Sequence, residues 1–220
     1  RRAAPIRCDL TAIARDIRAA RPQFAGQVDL LFGVELGEPH ANPAQAEALL
    51  AAYPFDVVIG SLHAMPNDLD LYDHDYDHLD CDALLRDYFA EVVRMEQYGG
   101  FDVLAHLDYP LRVMKRPGNH PSFDNFMEHI LPVLREAVAR GYAIECNAAT
   151  LFSWMERPGP DRWILEEYRR LGGERVSFGS DAHRAADIGR GAAVYRDYLR
   201  ALGFDHLTVF RGRKAEAYPL

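Results

Sequence analysis

Val176-Ser177-Phe178-Gly179-Ser180-Asp181-Ala182-His183 decides how this chain is read. Val176 to Gly179 is a short, nearly apolar run, which suits a parallel strand buried on both faces. Gly179-Ser180 makes a tight turn, and the chain then presents Asp181 and His183. Working outward, the same pattern recurs. Leu30–Val34 ends in Glu35, and Phe55–Gly60 in Ser61-Leu62-His63. Phe101–Ala105 ends in His106, and Tyr142–Cys146 in Asn147, with Leu207–Phe210 as a sixth run.

Helical patterns fill the gaps: about Leu10–Ala20, Pro43–Ala52, Asp82–Tyr98 with Asp80 or Asp82 as N-cap, Phe123–Arg140, Asp161–Leu171 and Ile188–Leu202. Gly99, Gly141, Gly172 and Gly203 supply the stops. Elements that alternate strictly at these lengths imply an α/β fold with a parallel sheet, open or closed into a barrel. In a parallel barrel the carboxyl ends of the strands form one face, where active sites sit. Glu35, His63, His106, Asp181 and His183 would all arrive there. Imidazole and carboxylate together suit Zn, Mn or Fe, and a cluster of two or three such cations activates water and clamps phosphoryl oxygens. Any one of these histidines alone is more often a hydrogen-bonded core residue. It is the recurrence after each strand that points to a shared metal site.

Composition narrows the alternatives. The 220 residues fit one α/β domain spanning 1–220, and 49% apolar content is enough for a sizeable core. A net charge of −8 speaks against a basic nucleic-acid-binding surface. No apolar run approaches the ~18 residues of a membrane span. Cys8, Cys81 and Cys146 fit neither a disulfide framework nor a zinc knuckle, and suggest a reducing, cytoplasmic compartment.

Gly33-Val34-Glu35, Gly60-Ser61-Leu62-His63, the His106 segment and Gly179-Ser180-Asp181-Ala182-His183 together resemble the later motifs of the PHP (polymerase and histidinol phosphatase) superfamily. The flanks Asp56-Val57-Val58-Ile59 and Tyr109-Pro110-Leu111-Arg112 are most similar to those of histidinol-phosphatases. The resemblance runs from about Leu30 to Lys214. It implies a distorted (β/α)7, TIM-like barrel with up to three metals. Glu35 would bridge two of them, His63 and His106 would complete one, Asp181 would bind the second and His183 the third. It implies hydrolysis of a small phosphorylated substrate, L-histidinol phosphate, to L-histidinol and phosphate in histidine biosynthesis. The family opens on a His-x-His motif on a first strand, whereas His40 is the first histidine here and the first element is a helix. The expectation is that an upstream segment supplies that strand; otherwise the cluster would be incomplete.

Further candidates surround this set. Arg112, six residues after His106, is placed to hold phosphate bidentately, with Lys115 and Arg116 nearby for the same role. Asn147 matches the family's Glu-x-Asn segment and is expected to orient phosphate or water. Glu145, on the same side of that strand by period two, is either a site residue or a barrel-interior one. Arg211, Arg213 and Lys214 read as a solvated tail rather than added charge at the pocket mouth. Asp73, Asp75 and Asp77 mimic the start of a calcium loop, but His78 and Leu84 stand where its glycine and glutamate belong. They read as a polar loop with helix caps; the alternative reading is that their negative charge favours an ammonium-bearing substrate. Tyr109, Phe152 and Trp154 are candidates to line the pocket, while His120, His129 and His206 read as structural. The rival functions are a PHP-type phosphodiesterase or nuclease, a metal-dependent amidohydrolase, and a catalytically incomplete binding domain.

Overall fold

The computed structural model describes residues 8–114 and 121–220. Lys115, Arg116 and His120 lie outside the described residues. Strands β1 (Gly33–Gly37), β2 (Val57–Ser61), β3 (Val103–Leu104), β4 (Ala143–Asn147) and β5 (Val176–Gly179) form one parallel sheet. They pair in chain order, β1 to β5. A doubly wound sheet reverses its strand order at a switch point. Unbroken chain order is instead the arrangement of a (β/α) barrel wall, as the PHP resemblance implies. Helices α1 (Leu10–Ala20), α2 (Pro43–Ala52), α3 (Cys81–Tyr98), α4 (Tyr109–Val113), α5 (Met127–Arg140), α6 (Arg162–Arg170) and α7 (Ala192–Ala201) complete the α/β pattern. No described helix is long and apolar enough to cross a membrane.

Local chemistry sets the helix ends. Asp9, Asn42 and Asp80 accept hydrogen bonds from the third residue on, at Ala12, Gln45 and Ala83, and so satisfy amide donors that a helix start leaves free. Asp80, rather than Asp82, caps α3. At the far end of α3, Gly99 has φ +83°, a conformation that costs glycine little. Asp70 and Asp75 cap short 3-10 turns at Leu71–Asp73 and Tyr76–His78, so part of the acidic loop serves to cap turns.

The period of two along the strands separates two faces. Val58, Leu104, Ile144 and Val176 point outward into the main core with Leu85, Phe89, Val92 and Met95 of α3, Val133, Leu134 and Ala137 of α5, and Ile164, Leu165 and Tyr168 of α6. Val103 and Ala143 point the other way and meet Phe210, with Val57 and Ile59 beside them. Phe210 belongs to β6 (His206–Arg211), which pairs antiparallel with β7 (Lys214–Pro219). The sequence reading placed Leu207–Phe210 among the parallel strands and left Arg211 to Lys214 as a solvated tail. Both expectations are corrected. Gly212-Arg213 makes a hairpin turn in which Arg213 takes φ +66° and donates to Asp102 Oδ2 at 2.5 Å, and Gly212 N donates to Asp56 Oδ1 at 3.1 Å. Asp56 and Asp102 precede β2 and β3, so Arg213 is bound at the end opposite the strand carboxyl termini.

One core residue is out of keeping with its surroundings. Glu96 on α3 is fully buried, and among the described residues neither of its carboxylate oxygens has a hydrogen-bond partner. Burial pushes its pKa well above the usual carboxylate range, and Glu136 adds to the shift while Arg140 opposes it. The folded chain therefore keeps a proton that the unfolded chain releases, and stability falls as pH rises from about 4.5 towards the raised value. Glu96→Met should gain about 1–3 kcal/mol over the parent at pH 8. That gain should shrink as pH approaches 5. Urea titrations of both proteins at the two pH values measure it, and a pH-independent difference would contradict the account.

Candidate metal centre

The inner face of the sheet changes character along its strands. Val57, Ile59, Val103 and Ala143 are apolar, whereas Ser61, Glu145 and Asn147, nearer the carboxyl ends, are polar. Register brings these ends level. Glu35 of β1 lies opposite Ile59, Gly37 opposite Ser61, and Asn147 opposite Gly179. An open cavity of about 540 Å³ results, lined by Glu35, Gly37, Ser61, His63, Asp70, His106, Tyr109, Arg112, Asp181 and His183.

Glu35, His63 and His106 converge within it, their nearest ligand atoms all within 4.8 Å of one another. Glu35 Oε1 is 3.4 Å from His63 Nε2 and 3.4 Å from His106 Nε2. Two ligand atoms bound to a zinc-sized cation at 2.0–2.1 Å with tetrahedral angles stand about 3.4 Å apart. The spacing of Glu35 from each imidazole thus fits a shared cation. The electrostatics agree. Burial alone would raise the Glu35 pKa, but His106, Ser61 and His63 together pull it down to about 2. Burial and the neighbouring His106 lower the pKa of His63, which leaves its imidazole neutral and its lone pair available. His106 is shifted upward in spite of burial, chiefly by its bond to Glu35.

Two further carboxylates, half-buried Glu38 and buried Glu145, hold these ligands from behind. Glu38 Oε1 accepts from the backbone N–H of His63 at 2.5 Å and of Ala64 at 3.1 Å. Glu145, which the sequence left undecided, is fully enclosed; its Oε2 accepts from His106 N at 2.9 Å and from Asn147 Nδ2 at 3.3 Å. Ser61 Oγ lies 3.4 Å from His63 Nδ1, so the nitrogen away from Glu35 is also engaged. Glu38 was missed in the sequence. Its only signal was a carboxylate just beyond a strand end that already carried Glu35.

The other expected residues stand around the same cavity without joining the triad. Arg112, at the end of short α4, places Nη1 3.4 Å from Asp181 Oδ2 and 3.5 Å from Asn147 Oδ1. Asp181 has φ +50°, and its carbonyl lies 3.0 Å from His183 Nδ1, whose ring is otherwise exposed. Tyr109 does line the cavity and meets the His63 ring edge-on at 4.8 Å between centroids. Phe152 lies under Arg190 instead, and Trp154 donates to Leu111 O, so neither aromatic reaches the lining.

No protein-family model matches the chain. It is 39% identical over 137 residues to a probable histidinol-phosphatase of Thermotoga maritima, covering 62% of this chain and 56% of the relative. It is 30% identical over 207 residues to a probable histidinol-phosphatase of Deinococcus radiodurans, covering 91% of this chain and 75% of the relative. The crystal structure of a Lactococcus lactis histidinol phosphate phosphatase, complexed with zinc, L-histidinol and phosphate, superposes with a TM-score of 0.81 at 21% identity. That likeness covers 96% of this chain and 80% of the other, and establishes a shared fold.

The support behind His106 is testable. A Cβ on Gly179 would stand 2.2 Å from Glu145 Oε1. That atom ends a flexible side chain, but Glu145 is enclosed and tethered through its other oxygen, so it has nowhere to go. Gly179→Ala should destabilise the fold by about 1–3 kcal/mol. It should also weaken zinc binding on the order of tenfold, because the His106 backbone loses its anchor. Denaturant titration and zinc-binding calorimetry read the two effects; unchanged zinc affinity would show that Glu145 does not position the ligand.

Proposed function

Because the chain belongs to the histidinol-phosphatase family, we propose that it hydrolyses L-histidinol phosphate to L-histidinol and phosphate, using divalent transition metals of the zinc, manganese or iron type. One observation carries the reading: a carboxylate oxygen on β1 equidistant, at tetrahedral-edge spacing, from two imidazole nitrogens that follow the ends of β2 and β3. Glu35, His63 and His106 would hold one cation. Asp181 and His183, on the same cavity, would contribute to further ones. His183 Nδ1 faces a carbonyl and so carries the proton in the neutral ring, which leaves Nε2 as the donor atom. Bound metals would supply a nucleophilic water at neutral pH and Lewis-acid stabilisation of the phosphoryl oxygens.

The chain's own residues set the rest. Arg112 is largely buried, its contacts to Asn147 and Asp181 are long, and among the described residues its Nε has no partner. A guanidinium with unmet donors beside a cation site suits a phosphate monoester, whose oxygens accept two parallel hydrogen bonds. Asn147 would fix the guanidinium plane. Lys115, outside the described residues, is retained as a further phosphate contact from the sequence alone. A net charge of −8 favours a small substrate over a polynucleotide. Cys8, Cys81 and Cys146, which fit no disulfide framework, accord with the cytoplasm as the site of action.

Phosphate release from histidinol phosphate by the full-length protein tests the proposal. Chelator should abolish release and added zinc or manganese restore it. Glu35→Gln and His106→Ala should each lower kcat/KM on the order of 100-fold or more. Arg112→Lys should raise KM roughly tenfold, since an ammonium cannot reproduce the bidentate fork. Chelator-resistant release would sink the metal assignment; release from other phosphomonoesters but not this one would sink the substrate.

A further inference from the structure

The cavity holds one charged side chain that neither the cation triad nor the phosphate contact uses. Asp70 follows His63 across a loop that folds back on itself. Leu71 N donates to His63 O at 2.8 Å, and Ala64 and Asp70 form an isolated antiparallel bridge. Asp70 is thereby held beside the ligand strand. Tyr72 N donates to Asp70 Oδ1 at 2.8 Å, and Tyr109 Oη donates to the same oxygen at 2.6 Å. Both donors take Oδ1. Among the described residues, Oδ2 receives no hydrogen bond and no lysine or arginine pairs with the carboxylate.

We infer that Asp70, which lines the cavity with its Oδ1 fixed by Tyr109, is the acceptor for the ammonium group of an amino-alcohol phosphate. The inference rests on the phosphatase reading above and names the group that selects its substrate. Charge assigns the role. Asp181 already faces Arg112, and Glu35 faces two imidazoles, which leaves Asp70 as the cavity carboxylate with no lysine or arginine partner among the described residues. Tyr109 joins the two ends of the substrate. Its hydroxyl orients Asp70, its ring edge meets His63, and the Arg112 guanidinium lies 5.4 Å from its centroid. A phosphate at Arg112 and an ammonium at Asp70 would thus be held from one aromatic ring. A charge-assisted bond to an otherwise unpaired carboxylate discriminates strongly, because a ligand lacking the amine leaves the carboxylate unmet. The acidic loop therefore selects through one oriented residue, Asp70; the exposed Asp73, Asp75 and Asp77 lie beyond the cavity lining.

The test compares histidinol phosphate with its deamino analogue, 3-(imidazol-4-yl)propyl phosphate, in wild type, Asp70→Asn and Tyr109→Phe. Asparagine keeps an Oδ1 acceptor for Tyr72 and Tyr109, so the loop should stay folded. Wild type should favour the amine substrate in kcat/KM by about tenfold or more. Asp70→Asn should collapse that preference through KM for the amine substrate. Tyr109→Phe should reduce it in part, since Tyr72 still holds Oδ1. Equal losses on both substrates in Asp70→Asn, or no preference in wild type, would overturn the inference and leave the phosphatase reading standing. Turnover of neither substrate by wild type would overturn the reading itself and the inference with it.

Discussion

Parallel register is the constraint on which the site depends. β1, β2, β3 and β4 are locked with Val34 beside Val58, Gly60 beside Leu104, and Leu104 beside Ile144. Those pairings are set by burial of their outward faces against α3, α5 and α6, since a slip of one residue would turn the apolar set inward. The same pairings bring the carboxyl ends of β1, β2 and β3 to one side of the sheet, where Glu35 meets His63 and His106 on the segments that follow β2 and β3. The metal triad is therefore a consequence of outer-face packing: no contact among the three ligands is needed to assemble them. Their mutual charges are instead tolerated, with one low-pKa carboxylate offsetting two imidazoles.

A second layer of carboxylates converts placement into orientation. Glu38 and Glu145 grip backbone N–H groups of His63 and His106, not their rings. Such bonds fix the main chain from which the imidazoles project and leave the rings free to meet a cation. Gly179 belongs to this layer too, because the space a methyl would fill is occupied by Glu145. At the other end, Phe210 closes the apolar half of the inner face and Arg213 neutralises Asp102. With the hairpin at that end, the polar half opens at the strand carboxyl ends.

What the sequence made legible follows from range. α1, α2 and β5 could be read to their ends because capping and hydrophobic period are local signals. The shared position of the strand-end residues was legible because parallel topology follows from alternation alone. Arg112 could be placed on the right face but not against Asp181 and Asn147, since those contacts span three loops. β7 was not legible: every one of its residues is exposed, so no burial pattern marks Lys214–Pro219 as a strand, and only pairing with β6 defines it. Glu38 and Asp70 were equally hidden. One acts through a turn with φ +46°, the other through a loop closed by a single bridge, and neither leaves a periodic trace.

The backbone at Glu38 and Asp181 shows where stability has yielded to chemistry. Both are non-glycine residues with positive φ, at +46° and +50°, and each sits just past a strand that ends in the cavity. Such conformations cost on the order of 1–3 kcal/mol for residues bearing a Cβ. Glycine would relieve that cost at either position, yet it would remove the carboxylate that holds the His63 backbone or faces Arg112. Asn67 shares the conformation within the loop that carries Asp70 beside His63. Three of the described non-glycine residues with positive φ thus cluster at the cavity end of the strands, while Arg213 takes it where it seals the opposite end. At Glu38 and Asp181 side-chain function at a turn outweighs backbone ease, and the buried outer faces of β2, β3 and β4 supply the stability that allows it.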